Sequence, residues 1–243
     1  MAKEKKLKPK KPKLFFKLYR GFIKLFKKKV NFYYVEEKPA CGTLILSNHE
    51  STKGPLSWEL FYEDKVRMMG NEEMNSGLVR LYKYQTKVYY HEKKHWNLFG
   101  ARMFCLLASP LTHFFYKGLQ LIPIRDGFGL RKSILDANTA LIDFNESTVI
   151  FPEDSSDGYL KQLKGFKQGF LLILEQAYKN GHDIPVSVAY VKLQESSCLV
   201  DKPIKYSELL EKYKTREAIA KALCDRCNEL GASDHTQFNK AKK

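Results

Sequence analysis

A histidine stands where an apolar run breaks off. Leu44-Ile45-Leu46-Ser47 is followed at once by Asn48-His49-Glu50-Ser51, then by Lys53, Gly54 and Pro55. Imidazole exchanges a proton near neutral pH, so a histidine delivered to a strand exit is a candidate general base. Taken alone, it reads more readily as a structural residue. Two more apolar runs end in polar groups: Leu121–Ile124 leads to Arg125, and Ser147–Phe151 leads to Pro152 and Glu153. If these runs are strands of one sheet, Asn48-His49, Arg125 and Pro152-Glu153 share the edge where ligands of α/β sheets bind.

Other constellations carry less chemistry. His91 and His95 have the i, i+4 spacing of metal ligands but no third ligand, which reads as a solvated helix face. Cys224 and Cys227 have neither a second pair nor a βαβ context, so no metal or redox cofactor is expected. The five scattered cysteines suit a reducing compartment. Arg125–Gly129 is glycine-rich without nucleotide-binding spacing and reads as a turn. Asp136, Asp143 and Glu146 read as surface charges.

The elements that must position these residues follow from periodicity. Gly42–Asn48, Gly118–Ile124, Ser147–Glu153 and Asp183–Leu193 read as strands. Helical patterns alternate with them: Pro55 suits the first turn of one helix, Arg131–Asn145 is amphipathic, and Gly165–Gly181 closes on Asn180-Gly181. The expected fold is α/β, a mostly parallel central sheet flanked by helices. A charged helix over 207–231 and a polar tail over 232–243 complete the chain.

Charge is unevenly placed. Residues 1–29 hold thirteen Lys and Arg against Glu4, a surplus of +12 that leaves +3 of the chain's +15 for the rest. Residues 1–13, rich in Lys and Pro, read as a disordered basic arm. Over 14–30 the spacing predicts a basic amphipathic helix: Phe15, Leu18, Tyr19, Phe22 and Phe26 form one stripe, opposite Lys17, Arg20, Lys24, Lys27 and Lys28. Large aromatics opposite a basic face describe a helix lying in a membrane surface, and they argue against nucleic acid as the partner. Leu98–Ile124 is interrupted by Arg102, His113 and Lys117, so it reads as buried or membrane-touching helices rather than a span. No secretory leader is expected either, because lysines break every apolar stretch near the start.

Five short stretches occur in order: Ser47–Ser51 (SNHES), Leu121–Asp126 (LIPIRD), Val149–Asp154 (VIFPED), Gly165–Phe170 (GFKQGF) and Asp183–Tyr190 (DIPVSVAY). They resemble the motif series of the glycerolipid acyltransferases, the 1-acylglycerol-3-phosphate acyltransferases and their relatives, over roughly 60% of the chain. The resemblance implies an acyltransferase domain over 31–231 and a phospholipid-synthesis enzyme without metal or redox cofactor. It would move a fatty acyl group from acyl-coenzyme A or acyl carrier protein to a lysolipid hydroxyl, peripherally on the cytoplasmic face of a membrane. His49 would be the general base and Arg125 a phosphate contact. Glu153 with Pro152 would meet the acceptor, and Pro185 would shape a substrate pocket. Asn48, Ser51 and Lys53 would border the same site.

The chain departs from that family pattern twice. Gly54 stands where the family has the aspartate that orients the histidine, and Asp154 and Ser156 replace a glycine and an arginine. In a serine-protease triad, losing the orienting acid lowers turnover by about 10⁴. An acid lost in one motif and gained in another suggests Asp154 as the partner of His49, with Glu50 as the weaker alternative. With Ser156 in place of that arginine, a phosphate would be held by Arg125, with Lys53, Lys161 or Lys164 adding charge. If no acid compensates, the chain would be a silent relative that binds lipid or a partner.

Overall fold

The computed structural model describes residues 6–51, 53–153 and 160–240. Its strands are β1 (Asn31–Tyr34), β2 (Leu44–Ser47), β3 (Val66–Asn71), β4 (Ile122–Ile124), β5 (Ser147–Ile150), β6 (Pro185–Lys192), β7 (Ser197–Val200), β8 (Ile204–Lys205) and β9 (Asn239–Lys240). They form one sheet in the order β4-β3-β5-β2-β6-β7-β1-β9, with β8 beside β6. The pairs β4–β3, β3–β5, β5–β2, β2–β6 and β1–β7 are parallel; β7 and β8 run antiparallel to β6, as β9 does to β1. The α/β fold with a mostly parallel sheet is therefore present, with more strands than the sequence suggests.

The helices are α1 (Leu14–Leu25), α2 (Lys53–Phe61), α3 (Leu78–Tyr84), α4 (Leu98–Leu119), α5 (Leu130–Asn138), α6 (Gly169–Lys179), α7 (Tyr206–Lys212) and α8 (Arg216–Ala232). They cover both faces of the sheet, which is why all four β2 side chains are buried. Strand alternation divides them. Leu44 and Leu46 join Phe170 and Leu174 of α6 in one core, whereas Ile45 meets Trp58 of α2 in the other.

Several expected boundaries move. Gly118 belongs to α4, and only Ile122–Ile124 pairs as a strand. The C-terminal helix is two, because Tyr213 takes an extended conformation after α7. The expected polar tail is ordered as far as described: His235 is fully buried and β9 pairs with β1. Asp136 and Glu146 are not free surface charges, since they pair with Arg125 and Arg67.

The N-terminal arm differs most. Its described part, from residue 6, is a strap rather than a disordered tail. Arg67 donates to the Lys8 carbonyl at 2.7 Å, and Gln120 pairs with both the N–H and the carbonyl of Lys11. Lys10 is buried and donates to Glu59 at 2.7 Å and to the Val66 carbonyl at 2.8 Å. Arg20 of α1 holds the other Glu59 oxygen at 3.1 Å. An uncompensated buried carboxylate is costly, so this pairing recruits a lysine from a stretch whose composition alone favours disorder. Lys10→Ala removes the more buried of the two partners and is predicted to lower the unfolding free energy by about 3 kcal/mol in urea titration.

Candidate active site

The site begins where β2 leaves the sheet. Asn48 is buried, and its side chain replaces the lost main-chain ladder. Its Nδ2 donates to the Val191 carbonyl at 3.0 Å and its Oδ1 accepts from the Val191 N–H at 2.7 Å. Asn48 is thus a strand-end brace rather than a substrate contact. The chain then turns sharply. Glu50 and Ser51 have φ of 36° and 64°, left-handed values that non-glycine residues rarely adopt. Residues in such conformations persist when their surroundings over-determine them. Glu50 supplies one such tie, because its carboxylate accepts from the Leu193 N–H at 2.8 Å. That contact turns Glu50 away from the role of an acid oriented on His49.

The turn folds the Ser51 carbonyl back onto His49, 2.5 Å from Nδ1. A carbonyl oxygen only accepts, so Nδ1 carries the proton and Nε2 is the basic nitrogen. Gly54 completes the arrangement. A Cβ at this position would lie 2.1 Å from the His49 carbonyl oxygen, so the first turn of α2 rests directly on the histidine's main chain. The glycine that reads as a lost acid in sequence is a packing requirement in the fold.

The ring of His49 meets Phe151 edge-on, with centroids 5.1 Å apart. Burial lowers the His49 pKa below its ordinary value, and the Ser51 carbonyl opposes that shift. Glu153 is placed by main-chain contacts on both sides: Lys167 N–H donates to the Pro152 carbonyl at 2.7 Å, and Glu153 bridges to Phe166. Burial raises the Glu153 pKa, the His49 main-chain N–H hydrogen-bonds its carboxyl and opposes the rise, and the Glu50 charge adds to it. Among the described residues, buried Glu153 Oε1 has no hydrogen-bond partner.

The remaining predicted residues divide by position. Continuing the strand registers past their ends places His49, Glu153, Glu72 and Arg125 at one level. His49 and Glu153 leave adjacent strands. Arg125 follows β4, three strands from β2 and about 14 Å away along the sheet. Its guanidinium lies 3.4 Å from Asp136 and 3.7 Å from Glu72, and the main-chain N–H of Arg125 donates to Ser133 Oγ. Those carboxylates compete with the phosphate that the family resemblance implies for it. Pro185 opens β6 one residue before Val186, which pairs with Leu44, so it sits at the opposite end of the sheet, about 20 Å from His49. Parallel pairing of β2 and β6 forces that separation. Lys53 is exposed at the start of α2, and its N–H lies 3.4 Å from Ser51 Oγ. Asp154 and Ser156 lie outside the described residues.

Beside the turn, a cavity of about 440 Å³ is walled by Glu50, Lys161, Tyr190, Lys192 and Asn228. Lys161 therefore lies on the β6 side of His49, not beside Arg125. Among the described residues, no three His, Cys, Asp or Glu side chains converge to hold a metal ion. Sequence reasoning missed Phe151 and the Ser51 carbonyl. The Phe151 position was readable from its place one residue before Pro152-Glu153, whereas a main-chain acceptor leaves no side-chain signature. Gly54→Asp supplies the aspartate of the resembled motif on paper but forces the α2 turn off His49. It is predicted to lose about 3 kcal/mol of stability, read as a lower thermal midpoint, instead of gaining function.

No protein-family model matches this sequence, and no curated protein is significantly similar to it.

Proposed function

We propose that this chain is a peripheral membrane acyltransferase. In this reading, it moves a fatty acyl group from a thioester of coenzyme A or acyl carrier protein to the hydroxyl of a lysophospholipid-type acceptor. The observation that carries it is the histidine at the exit of β2 with its Nδ1 proton held by the Ser51 carbonyl. The order of the five sequence stretches supplies the reaction class.

The steps follow from that tautomer. Nε2 of His49 takes the acceptor's hydroxyl proton as its oxygen bonds to the thioester carbonyl carbon. The tetrahedral adduct collapses, the carbon–sulfur bond breaks, and the imidazolium returns the proton to the departing thiolate. Ester and free thiol result, and His49 is neutral again. The Ser51 carbonyl keeps the ring in the required tautomer but brings a dipole rather than a full negative charge. Glu153, leaving the adjacent strand at the same level, is the acceptor-binding carboxyl in this reading, and its Oε1 has no hydrogen-bond partner among the described residues. Arg125 has no part in the proton transfer.

The test uses purified full chain, labelled acyl donors of both kinds and a panel of lysolipids. Transfer is expected with at least one pair, and His49→Gln is expected to lower its rate by a factor of about 10² to 10⁴ with the fold unchanged. A variant that transfers at the wild-type rate would remove His49 from the reaction. Lipid binding without transfer would favour a silent lipid-binding relative. A base whose pKa is lowered stays neutral further into acid. The acid limb of kcat/KM should therefore fall at a pH below the ordinary histidine value of 6.5.

A further inference from the structure

One stripe of α4 starts bare and ends covered. Phe99, Met103, Leu107 and Leu111 recur every four residues and stand exposed, and Phe115 continues the series. There α1 takes over. Phe16 packs on Phe115 with ring centroids 5.7 Å apart and fills the space over Gly118, where a Cβ would lie 2.0 Å from its ring. Tyr19 lies against Phe114 and Phe115. Helix α1 is therefore bolted to α4, and the strap through Lys10 and Arg20 to Glu59 holds it from the other side.

The free side of α1 is itself apolar: Leu14, Phe15, Leu18, Phe22, Leu25 and Phe26 are exposed. Phe15 joins the two bare surfaces, since it is exposed and its ring also meets Phe114 at 5.1 Å. A patch this large on a water-facing surface marks an interaction site. Charge identifies the occupant. No Asp or Glu occurs between Lys5 and Val35 or within α4, whereas α1 and the residues just outside it carry Lys13, Lys17, Lys24 and Lys27. Two copies of so basic a surface repel each other; an apolar layer under anionic head groups complements both features.

The geometry points to α1 and the bare half of α4 as one rigid seat for an anionic bilayer surface, with α4 lying in the plane of the membrane. At 22 residues α4 is long enough to cross a bilayer. Its C-terminal half is nevertheless held by the same body. Its C-terminus turns at Gln120 directly into β4, and Gln85 of the preceding helical segment bonds Ser109 and Thr112 along its length. Helix α4 also packs on the 3₁₀ turn Glu72–Asn75 that follows β3, so the seat borders the sheet edge where His49 emerges.

The chain carries its own reporter. Trp96, two residues before α4, is 43% exposed, whereas Trp58 is fully buried. With vesicles of mixed phosphatidylglycerol and phosphatidylcholine, and with no acyl donor or acceptor, co-sedimentation and a blue shift of Trp96 emission are expected. Pure phosphatidylcholine should bind more weakly. Phe99→Glu/Leu107→Glu leaves α1 intact and alters side chains 75% and 77% exposed, so the thermal midpoint should hold. Its vesicle affinity should fall at least tenfold; Leu107→Glu alone serves if the pair fails to fold. Wild-type affinity in these variants with unmoved Trp96 emission would overturn the seat, as would wild-type chain that ignores vesicles. A dimer in vesicle-free solution that the variants dissolve would assign the face to a second copy instead. The acyl-transfer assay is separate, so either proposal can fail alone.

Discussion

The hydrogen bond between His49 Nδ1 and the Ser51 carbonyl is the contact on which the rest depends. It joins residues two apart in sequence, and it forms only because the intervening chain is held in a left-handed turn. That turn is held from outside. Asn48 and Glu50 on either side of the histidine are both tied to the end of β6, and Gly54 lets α2 press on the His49 carbonyl from the other direction. The parallel pairing of β2 and β6 is thus the jig for a single imidazole.

A carbonyl and a carboxylate fix the same tautomer, but they differ in charge. Much of what an orienting acid provides is the correct proton position, and a main-chain oxygen supplies that fully. The remainder is charge stabilisation of an imidazolium, for which a carbonyl offers a dipole rather than a full charge. Burial against Phe151 works in the same direction, favouring the neutral ring. The result is a ring that burial holds toward its neutral form, beside a carboxyl that burial biases toward its protonated form.

How legible these features were varies by element. The runs around β2, β5 and β6 could be read because strands buried on both faces are apolar at successive positions. β3 could not: Arg67 in its middle reads as exposed until Glu146 and the Lys8 carbonyl are seen to hold it. β1 and β7 are four residues each and pair with one another across 166 positions, a partnership no local pattern encodes. The strap failed for a similar reason, since Lys10 is ordered by a glutamate 49 residues away. At the site, side-chain types picked out His49 and Glu153, which the fold brings to adjacent strand exits at one level. They misjudged Asn48, Glu50 and Gly54, because those residues act through main-chain contacts and packing. Pro185 and Arg125 fell short on geometry, one at the wrong end of the sheet and the other three strands from His49.

Long-range proton–nitrogen NMR on His49 tests the central claim most directly. At neutral pH the account predicts a neutral ring with the proton on Nδ1 and an unprotonated Nε2. A ring carrying its proton on Nε2, or one already doubly protonated at neutral pH, would contradict it.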